Sequence, residues 1–420
     1  MKILVASLGI PGHLNPMLSA GRVLAQQHEV MVTTSNELRG MVEAAGLAFI
    51  AEPAETSTFV GKFIAAHPEF AQMPAGLEQL RFGLEHYIAA GIASQASNLR
   101  YALEIFAADI ILADSFFFGT LPLLLRPRAE RATIVHLGIS VLNVHSGKDV
   151  PQRPGVTADD WVTERVHYRE SILDPVQAAF ASALHECGIR PLEVPVLESL
   201  AVLSDLYIHP GILSFDYPHD ISNVHHIGRL PMASGQSVVP DWWESRDRSK
   251  RVVLVTQGTV ANRDMSQLIE PSLIGLENEH DVIVIVTTGG QTLDSIALEL
   301  PSNAYVETFL PFERILPFVD VLVTNGGYGT VNMALAYGVP MVVAGLSEDK
   351  EEVAAHVHWA GVGVDLHTSR AKSEAVRCAV RQVLDMPDYR RRAKEMEAEF
   401  AACDAETSLL ELIGSLGGAG

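Results

Sequence analysis

Between Thr324 and Lys350 the chain reads TNGGYGTVNMALAYGVPMVVAGLSEDK, and these residue types at this spacing suit the holding of an anion. An apolar run at 319–323 predicts a buried strand that ends in Asn325, Gly326, Gly327, Tyr328, Gly329 and Thr330. A helix is expected over 331–337 and a second apolar strand over 341–344. Glycines let a backbone approach a phosphate with no Cβ in the way. A helix that begins there points its free N–H groups and positive dipole end at the anion. Asp349 and Lys350 then fall just past the second strand, at the carboxyl edge of the sheet where ligands bind.

Elements on either side must position this loop. Residues 2–7 read as a strand, 8–16 as a turn marked by glycine and proline, 17–27 as a helix and 30–34 as the next strand. That order predicts a parallel sheet with helices on its faces. Further strands are expected at 110–113, 132–137, 201–208 and 224–227, with a mostly helical, apolar stretch over 59–107 broken at Pro68 and Pro74. Residues 229–249 mix proline, Gly-Gln-Ser, two tryptophans and charge, as linkers do. A fresh strand then starts at Arg251 and repeats the logic of the N-terminus, followed by strands at 282–287 and 304–306. The expectation is an α/β chain of two doubly wound, Rossmann-like domains facing across a cleft. The first spans 1–232 and the second 250–388, joined by a linker at 233–249. The C-terminal helix and tail at 389–420 could cross back to the first domain.

Composition narrows the function. A chain of 420 residues favours two domains, and 48% hydrophobic with 19% charged residues is enough for real cores. The net charge of −21 argues against nucleic acid or an anionic membrane as partner, because both select basic patches. It does not oppose a phosphorylated ligand, which local N–H groups can hold. The cluster Arg390-Arg391-Arg392 is followed by Glu395, Glu397 and Glu399 and reads as a solvated helix face. Three separated cysteines with no Cys-x-x-Cys suit reduced thiols in a cytoplasm. No apolar run reaches spanning length, so a transmembrane segment is not expected, and peripheral membrane contact stays open. His136, His145, His225 and His226 lack metal-ligand spacing with a clear third partner.

With these residues in view, the chain resembles glycosyltransferase family 1, the UDP-glycosyltransferase-like enzymes of the GT-B fold, and within it the bacterial branch acting on natural products and lipids. Gly12-His13-Leu14-Asn15-Pro16 looks like the family's Gly-His-x-x-Pro turn, so the resemblance makes His13 the general base. The chemistry fits, since an attacking hydroxyl must lose its proton and imidazole titrates near neutral pH. Asp114, after 110–113, matches the carboxylate that orients it. Thr256-Gln257-Gly258-Thr259 resembles a diphosphate-binding turn, with Thr256, Gly258 and Thr259 as contacts; Gly12 is also placed near the donor. Phe309 and the Leu310 backbone would read the nucleobase. Asn325, Gly326, Gly327, Gly329 and Thr330 match the phosphate loop, and Asp349 with Lys350 the pair that binds the donor sugar. Phe116, Phe117, Leu142 and Phe59 are the candidate lining of an apolar acceptor pocket.

Three positions depart from the family pattern. Asn325 stands where a phosphate-binding histidine is usual, Met333 where a glutamate holds the ribose, and Lys350 where glutamine is usual. Without the ribose carboxylate a dTDP-sugar is not disfavoured. The resemblance implies inverting, metal-independent transfer of a hexose from a UDP- or dTDP-sugar to a hydroxyl of a hydrophobic or aromatic acceptor. The chain holds no Asp-x-Asp pair for a metal, and the nucleotide sugar is a co-substrate rather than a cofactor. A monomer or homodimer is expected. The alternatives are a nucleotide-sugar 2-epimerase, which needs carboxylates around the sugar, and a non-catalytic homologue that activates a partner transferase.

Overall fold

The computed structural model describes residues 1–142, 158–231, 238–259 and 262–417. The chain forms two compact units, one of Met1–Leu213, Tyr217–Ala233 and Cys403–Gly420, the other of Ser214–Asp216 and Ser234–Ala402. Among the described residues no helix is long and apolar enough to cross a membrane.

The first unit holds a seven-stranded sheet of β1 (Lys2–Ala6), β2 (Glu29–Thr34), β3 (Ala48–Ala51), β4 (Ile110–Asp114), β5 (Thr133–Leu137), β6 (Leu206–His209) and β7 (Val224–His226). Ile3 and Val5 of β1 enter one core cluster, whereas Leu4 and Ala6 enter another; Ile110 and Leu112 divide from Ile111 and Ala113 in the same way. Successive side chains of a strand point to opposite faces, so a strand apolar at every position belongs inside a parallel sheet covered on both sides. All the pairings are parallel, in the order β3-β2-β1-β4-β5-β6-β7. The helix Pro11–Leu24 covers one face with Leu14, Met17 and Leu18, joined there by Leu409 and Ile413 of the helix Ala405–Leu416.

The second unit repeats the scheme with β8 (Arg251–Thr256), β9 (Val282–Thr287), β10 (Ala304–Glu307), β11 (Val321–Thr324), β12 (Met341–Val343) and β13 (Gly363–Asp365). Its order is β10-β9-β8-β11-β12-β13, again parallel throughout. In both sheets the order reverses between the first and fourth strands. The loops leaving these neighbours at their carboxyl ends diverge and open a crevice, the usual ligand position in such sheets.

Four local expectations need correction. The turn expected over 8–16 is only 8–10, because the helix begins at Pro11; proline fits the first helical position, where its missing N–H has no partner to lose. The helix expected from 331 begins at Tyr328, with the Thr330 and Val331 N–H groups both donating to the Gly327 carbonyl at 2.9 and 3.0 Å. The strand expected over 201–208 is the end of the helix Val196–Leu203 followed by β6. A short apolar run fits either element, and here the Ser204 hydroxyl bonds to the Leu200 carbonyl where the helix stops. The helix expected from 389 runs Pro387–Ala402 in the second unit, and a separate helix, Ala405–Leu416, belongs to the first. Within the stretch read as linker, Trp242 stacks on Tyr305 at 4.3 Å and donates to Glu307 at 2.7 Å, which fixes the helix Trp242–Ser245 to the second sheet.

Candidate active site

In the first unit the switch point lies between β1 and β4, and Ala6 pairs with Ala113 in register. Asp114, the next residue, is fully buried at the strand end and accepts every donor aimed at it. The Leu8 N–H reaches one carboxylate oxygen at 2.8 Å, the Phe116 N–H the other at 2.8 Å, and His13 Nδ1 lies 3.3 Å from that second oxygen. Burial pushes the Asp114 carboxyl up, but the His13 charge and hydrogen bond with the two backbone N–H groups outweigh it and leave it below its ordinary value. His13 is the third residue of the helix Pro11–Leu24 and its side chain is 19% exposed. With Nδ1 turned to Asp114, Nε2 is the nitrogen left to meet a substrate. Phe116 packs edge-on against the imidazole with centroids 5.5 Å apart.

The other acceptor candidates separate. Phe59 is partly exposed and lies against the loop before His13, where a Cβ on Gly9 would come within 2.6 Å of its backbone. Phe117, at 1% exposure, is packed among the core residues of the first unit. Leu142 is buried in a separate small cluster with Ala201 and Tyr207. Gly12 faces open space, since a Cβ there would meet nothing within 4 Å. His145 lies outside the described residues. His136 is a buried strand residue, with Nε2 at 3.0 Å from the Thr120 hydroxyl and Nδ1 at 2.6 Å from that of Ser204.

In the second unit the switch point lies between β8 and β11, with Thr256 paired to Thr324. The loops that follow are tied together. Asn325 Nδ2 donates to the Gln257 carbonyl at 2.6 Å, so the carboxamide that sequence assigned to a diphosphate also braces the neighbouring loop. Gln257 is itself buried and accepts from the Leu268 and Ile269 N–H groups at 3.2 and 3.0 Å. The Thr256 hydroxyl accepts from Gly258 N–H at 3.1 Å, and Gly258 has φ +70. Thr259 is exposed. Asn262, which sequence reasoning missed, is 1% exposed and offers its Nδ2 to the carbonyls of Gly258, Thr288 and Gly289 at 2.9–3.0 Å. Its signal is faint in sequence, because an asparagine after a glycine loop reads as an ordinary turn residue.

The glycine loop is built for close approach. Gly326 has φ +87, and a Cβ there would stand 2.7 Å from Val343. Gly327 and Gly329 face open space at the start of the helix Tyr328–Ala336, the end of a helix whose N–H groups suit an anion. Thr330 lies in that same first turn. Lys350, 6% exposed, opens the helix Lys350–Trp359 beside Gly326 and pairs with Glu348, a non-glycine residue at φ +58. Asp349 holds the N-cap position but makes no side-chain capping bond. Phe309 is 56% exposed with its ring against Gly290, whereas Leu310 is buried. A phenylalanine this exposed is not core, which removes the commonest alternative for it. Met333 is buried in the helix after the glycine loop.

Comparison with known proteins agrees with this arrangement. Residues 272–413 match the family model described as Erythromycin biosynthesis protein CIII-like, C-terminal domain. The chain is 35% identical to 4'-demethylrebeccamycin synthase of Lentzea aerocolonigenes, over 99% of each protein. It is 32% identical to UDP-glycosyltransferase 2 of Phaeomoniella chlamydospora, over 99% of this chain and 96% of that one. Among solved structures, the calicheamicin glycosyltransferase superposes with a TM-score of 0.76 at 19% identity, covering 100% of this chain and 98% of that one. The glycosyltransferase of kitacinnamycin superposes with a TM-score of 0.71 at 20% identity, covering 99% and 98%. With two parallel Rossmann-like sheets and 32% identity over nearly its full length to a named UDP-glycosyltransferase, this chain belongs to the UDP-glycosyltransferase family, as a glycosyltransferase of GT-B fold.

Proposed function

We propose that the enzyme transfers a hexose, with inversion and without a metal, from a UDP- or dTDP-sugar to a hydroxyl of a hydrophobic or aromatic small molecule. The observation that carries this reading is the His13–Asp114 pair at the β1–β4 switch point. In this reading His13 Nε2 removes the acceptor hydroxyl proton as the oxygen attacks the anomeric carbon. Asp114 offsets the imidazolium that forms. The bond from the anomeric carbon to the diphosphate breaks on the opposite face, which inverts the centre. The diphosphate keeps the electron pair, and its charge falls to the N–H groups of the glycine loop and the helix behind it. Asp349 is the group for paired sugar hydroxyls, since a carboxylate accepts from both. Phe309 is the stacking face for the base.

Phe116 against the His13 ring supports an apolar acceptor, and Phe59 borders the loop before His13 through its backbone beside Gly9. The test begins with calorimetric titration of UDP, dTDP and GDP in chelator. Tight binding of UDP or dTDP is expected, followed by transfer from the matching α-linked hexose donor to give a β-linked product. Binding that requires added metal, or an α-linked product, would overturn the corresponding part of the reading.

A further inference from the structure

The loop that delivers His13 is held from outside the His-Asp pair. Ile10 and the residues before it leave β1, and their backbone groups from Leu8 to Ile10 have partners. The Thr34 hydroxyl donates to the Leu8 carbonyl at 3.3 Å. Gly9 is fastened at both of its polar groups, its N–H donating to Thr58 Oγ1 at 2.9 Å and its carbonyl accepting from Val60 N–H at 3.0 Å. No other residue fits at position 9, because a Cβ would stand 2.6–2.7 Å from the backbone of Thr58 and Phe59. Four residues later comes His13, whose N–H donates to the Ile10 carbonyl at 3.1 Å.

Thr58 is in turn fixed by Glu52, a 6% exposed carboxylate just past β3. Glu52 accepts from the Thr58 N–H at 2.7 Å and from its hydroxyl at 2.8 Å. A hydroxyl has one proton. Because Glu52 takes it, Thr58 Oγ1 must present a lone pair to Gly9, and the bond from Gly9 gains strength from the charge behind it. The Tyr87 hydroxyl closes the far side by donating to the Thr58 carbonyl at 2.5 Å. A buried carboxylate with no cation among these contacts is costly, and burial does push the Glu52 carboxyl up. Such an arrangement has a use if it sets the polarity of one hydroxyl.

We infer that Thr58, polarised by Glu52, is a positioning residue for His13: through Gly9 it fixes the start of the helix so that Nδ1 stays on Asp114 and Nε2 faces the acceptor. This rests on His13 being the base, yet its first test does not need activity. In full-length protein labelled with 15N-histidine, the His13 ring is identified by its absence in His13→Ala, and long-range 15N–1H spectra report which nitrogen carries the proton. Native protein and Thr58→Ser should both show the Nδ1–H form. Thr58→Val, which keeps the shape and loses the hydroxyl, should show a mixture of the two forms, and Glu52→Gln should do the same if Thr58→Val does not fold. With a working donor and acceptor, Thr58→Val should lower kcat about tenfold with donor KM within about twofold, because small misplacements of a reacting group act on turnover. Native His13 signals in both Thr58→Val and Glu52→Gln, or a Thr58→Ser as altered as Thr58→Val, would overturn the inference. An Nδ1–H His13 in protein without transferase activity would count against the proposed function and leave this inference standing.

Discussion

Asp114→Asn is the sharpest perturbation of the first half-site, because it keeps shape and removes both charge and one acceptor. The native carboxylate takes three donors with two oxygens: Leu8 N–H on one, Phe116 N–H and His13 Nδ1 on the other. An amide has a single acceptor oxygen and adds two N–H donors. If that oxygen stays toward His13 and Phe116, the new NH2 faces the Leu8 N–H, and a buried donor is left without a partner at a cost of about 1–3 kcal/mol. If it turns the other way, the Phe116 N–H is left unpaired, and the NH2 can bond His13 Nδ1 only in the tautomer that carries its proton on Nε2. In either case the imidazolium formed on proton transfer loses its counter-charge. Together these should lower kcat by about 10²–10³-fold, or roughly 3–4 kcal/mol of barrier, within the range that general base catalysis contributes. Initial rates with saturating donor, alongside a thermal melt and UDP titration, make the check. UDP affinity should not change, since the glycine loop belongs to the second unit. A kcat within about threefold of native would refute the reasoning, because it would mean that neither charge nor orientation at Nδ1 matters to the base.

Other expectations follow from particular contacts. Gly329→Ala meets nothing within 4 Å and sits at ordinary backbone angles, so folding should be unaffected while UDP affinity falls; unchanged affinity would show that no phosphate approaches there. Phe309→Ala removes an exposed ring and should weaken nucleotide binding by about tenfold, as loss of a stacked base does, with no loss in Tm. His136 is held neutral by burial, its pKa lowered from 6.5 to about 4. The unfolded chain therefore binds the extra proton first, so this residue's contribution is complete above pH 6.5 and is lost as pH falls toward about 4, amounting to ~3 kcal/mol. Denaturant melts at about pH 7 and 4.5 should show a smaller acid loss in His136→Gln than in native protein, and equal losses would contradict this linkage.

Some of this was legible in the chain because the signals are local. Apolar runs followed by glycine turns gave the strand–loop–helix order of both units, and His13 and Asp114, taken from separate motifs, lie 3.3 Å apart. Boundaries were less legible where one residue type serves two ends. Pro11 and Gly12 look like turn residues yet open a helix, and Gly329 lies in a first turn where glycine costs little. The strands β3 and β13 escaped notice: β13 has only three residues, and β3, Ala48–Ala51, carries alanine at both ends. Phe116 and Phe117 are adjacent and chemically identical, and only the turn of the backbone sends one to His13 and the other to the core. The Gly9–Thr58 contact, at a separation of 49, and those of Asn262 with Thr288 and Gly289, at 26 and 27, join residues far apart in sequence with no motif to mark them.

The proposed mechanism puts the base in one unit and the diphosphate site in the other. His13→Ala tests it most directly, with UDP affinity and transfer rate measured on the same preparation. Transfer should be abolished while UDP binds as in native protein. Retained transfer, or loss of UDP binding in step with transfer, would contradict it.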